Sequence, residues 1–417
     1  MTDIFDISLS VLYIITLYYT IFWLLAFVDM KPERKGKLKT YPKVTIVIPC
    51  YNDSRSVKKS AISVLNLNYP KKKLELIIVN DGSTDDSKQV LKNLKKEYCS
   101  RNISIINQSN YGKWQVLNRG LDRATGEYFV CLDADSVVES NALINLLPEF
   151  KEKRIAAVLP ILKINSPKNF LQRLQWYEYL INIFYKKIIG MLNCIHVAPG
   201  PFSIYKTKIL RKVGGFKKGH YTEDLEIALR LQAANYKIKQ SFDGEVYTES
   251  PATLKELWIQ RTRWNRGSIL NAWDYKKMLF NIKYGDFGMF QLPIVLFYGF
   301  IAISIVALTS YLMIFKPLFK TIFNMSFVNF DFLTFIRTYK TNINLLDLSY
   351  YNITILFVVL IITSIVIVLS HRYLRERITK YNPLSLLAFV FIYYIFLGLV
   401  WMNIIKDLVF IKRNTKW

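Results

Sequence analysis

Val44-Thr-Ile-Val-Ile-Pro-Cys-Tyr-Asn-Asp53 and Leu74-Glu-Leu-Ile-Ile-Val-Asn-Asp81 are the two stretches that decide the fold. Each is a short run of β-branched and apolar residues that ends in a polar turn carrying an aspartate. Runs of that kind read as strands covered on both faces, the pattern of a parallel sheet. Strands are expected over 44–49, 74–80, 103–107 and 128–132, with helices between them over 54–65, 84–97 and 114–123. This alternation predicts βαβ units and an α/β domain of the nucleotide-binding type.

The rest of the chain is organised differently. Of its 417 residues 52% are hydrophobic, and the formal charge is +25. The apolar residues gather in long uncharged runs at 7–28, 288–315, 353–370 and 384–405 while the charges lie elsewhere. That segregation excludes a simple soluble globule. Asp3 and Asp6 precede the first run, and Lys31, Arg34, Lys35, Lys37, Lys39 and Lys43 follow it, the reverse of a cleavable signal peptide. It is expected to be a permanent anchor, with residue 31 onward in the cytoplasm. The basic stretch 371–380 suits the same side. A full crossing by the last run would leave the basic tail, Lys406, Lys412, Arg413 and Lys416, outside, whereas a hairpin turning near Gly398 would return it. Residues 316–350 read as an exposed loop or a partly buried element.

Two further segments carry apolar residues at helical spacing. The first sets Phe170, Leu174, Tyr177, Ile181, Phe184 and Ile188 on one face, which suits a helix in the membrane surface or a core helix. The second runs from 253 to 280. Cys50, Cys99, Cys131 and Cys194 form no C-x-x-C pair and read as free thiols. His196, His220 and His371 have no partner at i+3 or i+4, which disfavours a zinc site.

Acidic residues recur beyond the carboxyl ends of predicted strands, where ligands bind in open α/β sheets. They are Asp53, Asp81, and Asp133 with Asp135. Two carboxylates spaced i, i+2 supply hard oxygen donors to a divalent cation that shares its shell with phosphates and water. No G-x-G-x-x-G or G-x-x-x-x-G-K-[ST] follows a predicted strand, so dinucleotide and Walker-type sites are disfavoured. The D-x-D fits a departing nucleoside diphosphate whose charge a metal neutralises.

Thr222-Glu223-Asp224 opens a helical stretch over 225–234 and admits two readings. In one, Thr222 caps the helix and the acids suit its dipole. In the other, a carboxylate at the helix start deprotonates an acceptor hydroxyl. In Gln260-Arg261-Thr262-Arg263-Trp264, helical geometry sets Gln260, Arg263 and Trp264 on one face. An amide, a guanidinium and a flat ring suit a pyrophosphate and a sugar. Snorkelling at lipid headgroups is the structural alternative.

Taken in order, Pro49-Cys-Tyr-Asn-Asp53, Val79-Asn-Asp-Gly-Ser-Thr-Asp85, Gly112-Lys113 with Asn118, Asp133-Ala-Asp135, Thr222-Glu-Asp224 and Gln260-Arg-Thr-Arg-Trp264 resemble the membrane-integrated family 2 glycosyltransferases. That group includes cellulose, hyaluronan, chitin and poly-N-acetylglucosamine synthases. The match spans residues 44–267, and the flanking apolar runs look most like the shorter poly-N-acetylglucosamine type. The resemblance implies a GT-A-type (Rossmann-like) nucleotide-sugar-binding α/β domain at 31–250 and an N-terminal transmembrane anchor at 1–30. It further implies an interfacial amphipathic segment at 251–286 and a C-terminal transmembrane region at 287–417. By the same resemblance Tyr51, Asp53, Asp81, Lys113, Asp133, Gln260 and Arg263 would bind the donor, and Asp135 with Asp133 would hold Mg2+ or Mn2+. Asp224 would be the general base with Glu223 beside it, and Thr222 and Trp264 would meet the acceptor. Asp53 stands where glutamate is usual, and Trp114 stands where a small residue is common and would narrow the donor pocket.

The activity implied is that of a metal-dependent, inverting hexosyltransferase. It would pass a sugar from a nucleotide-diphosphate donor, a UDP-sugar, to a growing β-linked polysaccharide and secrete the chain. It would be a multi-pass protein of the plasma membrane with a cytoplasmic catalytic domain. One alternative keeps the chemistry but adds a single sugar to a lipid acceptor. Another is a membrane transporter or scaffold with an inactive transferase domain. The positive charge suits anionic donors and membrane lipids rather than nucleic acid, for which no binding motif is present.

Overall fold

A computed structural model of the chain describes residues 4–28, 36, 38–327, 329–331 and 350–410. Among them one mixed sheet is built from β1 (Val44–Cys50), β2 (Leu74–Asp81), β3 (Ile103–Gln108), β4 (Tyr128–Cys131), β5 (Val137–Val138), β6 (Ile155–Ile164), β7 (Ser203–Lys206) and β8 (Lys237–Thr248). Their spatial order is β3-β2-β1-β4-β7-β6-β8-β5. In β1 and β2 successive side chains enter opposite cores. Val47, Ile77 and Val79 point to one, and Ile46, Ile48, Leu76 and Ile78 to the other.

The first four strands pair in parallel as expected. Strand order reverses between β1 and β4, which opens a crevice beyond their carboxyl ends. The helices flanking this half are α2 (Val57–Leu65), α3 (Ser87–Glu97), α4 (Lys113–Arg123) and the short α5 (Ala142–Leu146). The wholly parallel sheet is corrected: β7 runs antiparallel to both β4 and β6, and β5 runs antiparallel to β8. β6 escapes a simple reading because it contains Pro160. That proline sits where the register with β8 shifts between Leu159 and Ile161, an irregularity of the kind that spares a missing N–H.

The second half adds α6 (Phe170–Met191), α7 (Thr207–Lys212), α8 (Glu223–Ala233) and α9 (Leu254–Asp274). Of the two readings of α6, the packing supports the core helix. Leu174, Tyr177, Phe184 and Ile188 are buried from the expected face, and Trp176, Leu180 and Ile183 widen the buried stripe. The helix lies between β6 and β8 on one side and the apolar C-terminal helices on the other. Helix α9 begins with a capping box, Thr253 with Glu256, and ends at Asp274 rather than 280.

The apolar runs form α1 (Ile4–Val28), α10 (Leu292–Ser310), α12 (Tyr350–Tyr373), α13 (Pro383–Ala388) and α14 (Tyr394–Phe410). Among the described residues three stretches, Ile7–Val28, Phe287–Ser310 and Pro383–Leu408, are long and apolar enough to cross a membrane. The hairpin at Gly398 is corrected, because that residue lies inside continuous helix α14. A Cβ there would stand 3.0 Å from Val306 of α10, so the glycine serves close helix packing rather than a turn. Residues 316–326 form a helix, α11, and not a loop. Lys31, Arg34, Lys35, Lys37, residues 332–349 and the tail from 411 lie outside the described residues.

The membrane-type helices share a core with the sheet. Trp23 and Phe27 of α1 and Leu292 and Val295 of α10 join the cluster of Val47, Phe129 and Phe184. On the sheet itself, α4 sits so close to β1 that a Cβ on Gly120 would stand 2.6 Å from Val47 Cγ1. Gly120→Ala is therefore expected to destabilise the protein by about 1–3 kcal/mol, as overpacked cores do. A lowered Tm of the detergent-solubilised protein checks this, and an unchanged Tm would mean that α4 can move back.

Candidate active site

The crevice is assembled from loops that follow strands. After β1, Asn52 takes a left-handed conformation (φ 54) and its side-chain oxygen accepts from Thr84 N at 2.8 Å. Ser54 N donates to Asp85 Oδ2 at 3.0 Å, which stitches the β1 and β2 loops together. Tyr51 and Asp53 are carried on this seam. Tyr51 is 48% exposed, while Asp53 is half-buried with its carboxyl pushed up by burial.

Asp81 ends β2 as a buried side chain whose oxygens accept from Gln108 Nε2 (2.8 Å), Tyr111 N (3.1 Å) and Gly112 N (2.9 Å). Gly112 has φ +91, a conformation that costs glycine little. The turn so fixed starts α4 and aims Lys113 at the crevice. There the Lys113 ammonium lies 2.6 Å from Asp133 Oδ1 and 3.1 Å from Glu223 Oε1. A single cation thus joins the D-x-D after β4 to the start of α8. Gly200 leaves room for the pair, since a Cβ there would stand 2.7 Å from Lys113 Nζ and 2.8 Å from Asp133 Oδ2.

The electrostatics follow from crowding four acids, Asp133, Asp135, Glu223 and Asp224, beside so few cations. Burial and the two acids act on Lys113 in opposite directions, and the acids hold its pKa well above the usual lysine range. Burial would raise Glu223, but Lys113 and the helix backbone outweigh it and keep it low. Asp224 makes no ion pair among the described residues, and burial with the Glu223 charge beside it outweighs the more distant Lys113 and pushes it up to about 6. Asp135 is likewise raised to about 6 by burial and by Asp133, and it accepts from Ser136 Oγ at 2.9 Å.

The chemistry of this donor set fits a hard divalent cation. Asp133 Oδ1 is buried and, beyond its ion pair, has no hydrogen bond. Among the described residues no three metal-ligating side chains gather, so the two aspartates would need diphosphate and water oxygens to complete a shell.

Helix α9 forms one wall of the site. A Cβ on Gly267 would stand 2.6 Å from Thr222 Oγ1, and Asn271 Nδ2 donates to that same oxygen at 3.0 Å. Thr222 does not cap α8 with its side chain, which corrects the capping reading of that residue. One helical step earlier on the stripe, the exposed Arg263 is within electrostatic reach of Glu223. Gln260 and Trp264 lie toward α6. Gln260 Oε1 accepts from Arg261, and the Arg261 guanidinium is 4.4 Å from the centre of the Trp264 ring.

Arg261 was not singled out in the sequence. It is buried, pairs with Glu178 of α6, and lies 3.4 Å from Tyr393 Oη, which itself donates to Glu178 at 2.6 Å. Tyr179 stands within electrostatic reach of both Arg261 and Asp135. Asn118 exchanges hydrogen bonds with the Phe216 backbone (2.7 and 2.8 Å), and Trp114 packs on the core alongside Gly112. Gly200 carried a sequence signal in the loop-forming Pro199-Gly200-Pro201, whereas Arg261 carried none beyond its place in the motif.

Comparison with known proteins agrees with this architecture. Residues 45–214 match the family described as Glycosyl transferase family 2. The chain is 30% identical over 263 residues to a poly-beta-1,6-N-acetyl-D-glucosamine synthase from Staphylococcus epidermidis, covering 60% of this chain and 63% of that one. It is 31% identical over 227 residues to a protein of the same name from Staphylococcus aureus, covering 54% of each. The chain thus spans less than two thirds of the relatives it matches. Among solved structures it resembles the mannosyltransferase PcManGT from Pyrobaculum calidifontis, in complex with GDP-Man and Mn2+, with a TM-score of 0.60. That match covers 73% of this chain and 83% of the other at 17% identity, a likeness of fold alone. The mixed sheet is of the GT-A type, and within it the chain carries a Glycosyl transferase family 2 domain.

Proposed function

We propose that the chain is an inverting hexosyltransferase that adds sugar from a UDP-sugar to a growing β-linked polysaccharide at the membrane and secretes the product. The relatives' name makes N-acetylglucosamine the sugar of choice. One observation carries the reading: Lys113 pairs with both Asp133 and Glu223, so the residues suited to a diphosphate and those suited to an acceptor share one network.

In this reading the acceptor hydroxyl attacks the anomeric carbon as the bond from that carbon to the diphosphate oxygen breaks. The hydroxyl proton passes to Asp224 and the bonding pair leaves with the nucleoside diphosphate. An α-linked donor gives a β-linkage, and no covalent enzyme intermediate is required. Environment separates the two adjacent acids: Lys113 keeps Glu223 ionised, while Asp224 titrates near neutrality, where a general base works best. Asp133 and Asp135 would hold Mg2+ or Mn2+, which when bound neutralises charge on the leaving diphosphate. Tyr51, Asp53, Asp81, Gln260 and Arg263 complete the donor side, with Asp81 acting through Gly112. Thr222 and Trp264 belong to the acceptor side. The segments 1–30 and 287–417 lie in the plasma membrane, with 31–250 on its cytoplasmic face and 251–286 along the interface.

Release of UDP from UDP-N-acetylglucosamine by the purified protein, with products separated by size, tests this function. Polymer is expected; a single glycolipid would assign the lipid acceptor instead, and no release from any nucleotide sugar would end the proposal. Asp224→Asn is expected to lower kcat about 10²–10⁴-fold, the usual contribution of a general base. Because the base must be ionised, kcat/KM for the wild type should fall about tenfold per pH unit below pH 6. Gly200→Ala should displace the Lys113 and Asp133 tips and raise the donor KM with little change in Tm, since both are side-chain ends.

A further inference from the structure

Helix α9 carries two arginines in its Gln-Arg-Thr-Arg-Trp stretch, and their surroundings differ. Arg263 is exposed and within electrostatic reach of Glu223, whereas Arg261 is 2% exposed. A guanidinium taken out of water is costly unless its charge and its donors find partners. The partners of Arg261 fall into two groups. Outside α9, Nη2 donates to Glu178 of α6 and stands 3.4 Å from Tyr393 Oη in the candidate span Pro383–Leu408. Tyr393 Oη in turn donates to Glu178 at 2.6 Å, so both anchors hold each other. Within α9, Nη1 donates to Gln260 Oε1, and the guanidinium carbon lies over the Trp264 ring, 4.4 Å from its centre.

Gln260 and Trp264 are half-buried, so each keeps surface that Arg261 does not cover. Trp264 also packs on the cluster that contains Tyr179, Leu257 and Tyr393. Tyr179, next to Glu178, is within electrostatic reach of both Arg261 and Asp135, which places the network beside the D-x-D. A lysine could repeat the charge of Arg261 but not its geometry. An ammonium is a point charge, whereas the planar fork meets a carboxylate and an amide at its edge and a ring on its face. An ion pair whose only task was to join α9 to α6 would need neither Gln260 nor Trp264.

We propose that Arg261 is a positioning residue of the transfer reaction: anchored by Glu178 and Tyr393, it fixes the Gln260 amide on the donor side and the Trp264 ring on the acceptor side. This rests on the transferase reading and deepens it, because the pose of two substrate-facing side chains then depends on a residue that touches neither substrate. The two arginines divide the work. Arg261 holds the motif in shape, and the exposed Arg263 is left for the diphosphate.

The test uses the full chain in detergent, with UDP-N-acetylglucosamine as donor and a pentasaccharide of β-1,6-linked N-acetylglucosamine as acceptor. Arg261→Lys keeps a cation beside Glu178 and removes the fork. It should raise the acceptor KM about tenfold and the donor KM about threefold, as loss of one cation–π contact and one neutral hydrogen bond would. A merely structural role would lower the amount of folded enzyme, and so the apparent kcat, and leave both KM values unchanged; that result would overturn the proposal. A double-mutant cycle reads whether Arg261 acts through the ring. In a Trp264→Ala background, Arg261→Lys should lower kcat/KM for the acceptor less than about threefold, since groups that act as a unit are not additive. A loss of about tenfold in both backgrounds, the behaviour of independent sites, would also overturn it. Should Arg261→Lys not fold, Tyr393→Phe retains the ion pair with Glu178 and should raise both KM values about threefold, whereas wild-type values there would count against the proposal. Failure of the transferase reading shows differently, as absent UDP release by the wild type.

Discussion

A single ammonium group between two partly buried carboxylates organises this site. Taking an acid out of water is costly unless a cation compensates, and Lys113 compensates two, on segments far apart in sequence. Its position depends on Asp81, which holds Gly112 in a conformation that turns α4 toward the crevice, and on Gly200, which leaves space for the pair. The remaining acids, Asp135 and Asp224, are not compensated in the same way and are pushed up to about 6. The asymmetry is chemically useful. A cluster with more acids than cations attracts a divalent metal and its diphosphate, and it leaves one carboxylate able to take up a proton.

The same network is tied mechanically to the apolar helices. Arg261 lies under Trp264, pairs with Glu178 on α6 and reaches Tyr393 in the last candidate span. On the neighbouring stripe of α9, Gly267 and Asn271 press against Thr222 at the start of α8. One helix therefore carries contacts to the acid-bearing helix and to the membrane-type region. The core does likewise, since side chains of α1 and α10 pack into the cluster beneath β1 and β4. Sheet and apolar helices are parts of one packed body rather than a globule on a tether.

Legibility followed burial pattern. β1 and β2 could be read because both faces are covered, which demands uninterrupted apolar residues and leaves little ambiguity. β6 and β8 hid their nature, one behind Pro160 and a register shift, the other behind alternating polar residues. Glycines were read less well than acids. Gly398 suggested a turn, yet its use is to let α14 approach Val306. Thr222 matched a capping preference, yet its hydroxyl is engaged by Asn271 of another helix.

What the amino-acid sequence determined by itself was local and periodic. It set the first strands and helices, the apolar runs and the order of the acidic and Arg-Trp motifs, because these follow from side-chain type and spacing along one chain. Only the tertiary structure decided that the acids of two distant segments share Lys113, that α6 is a core helix, and that Arg261 rather than Arg263 lies against Trp264. Those outcomes depend on which desolvated charges meet across the fold, and no spacing within a segment encodes that.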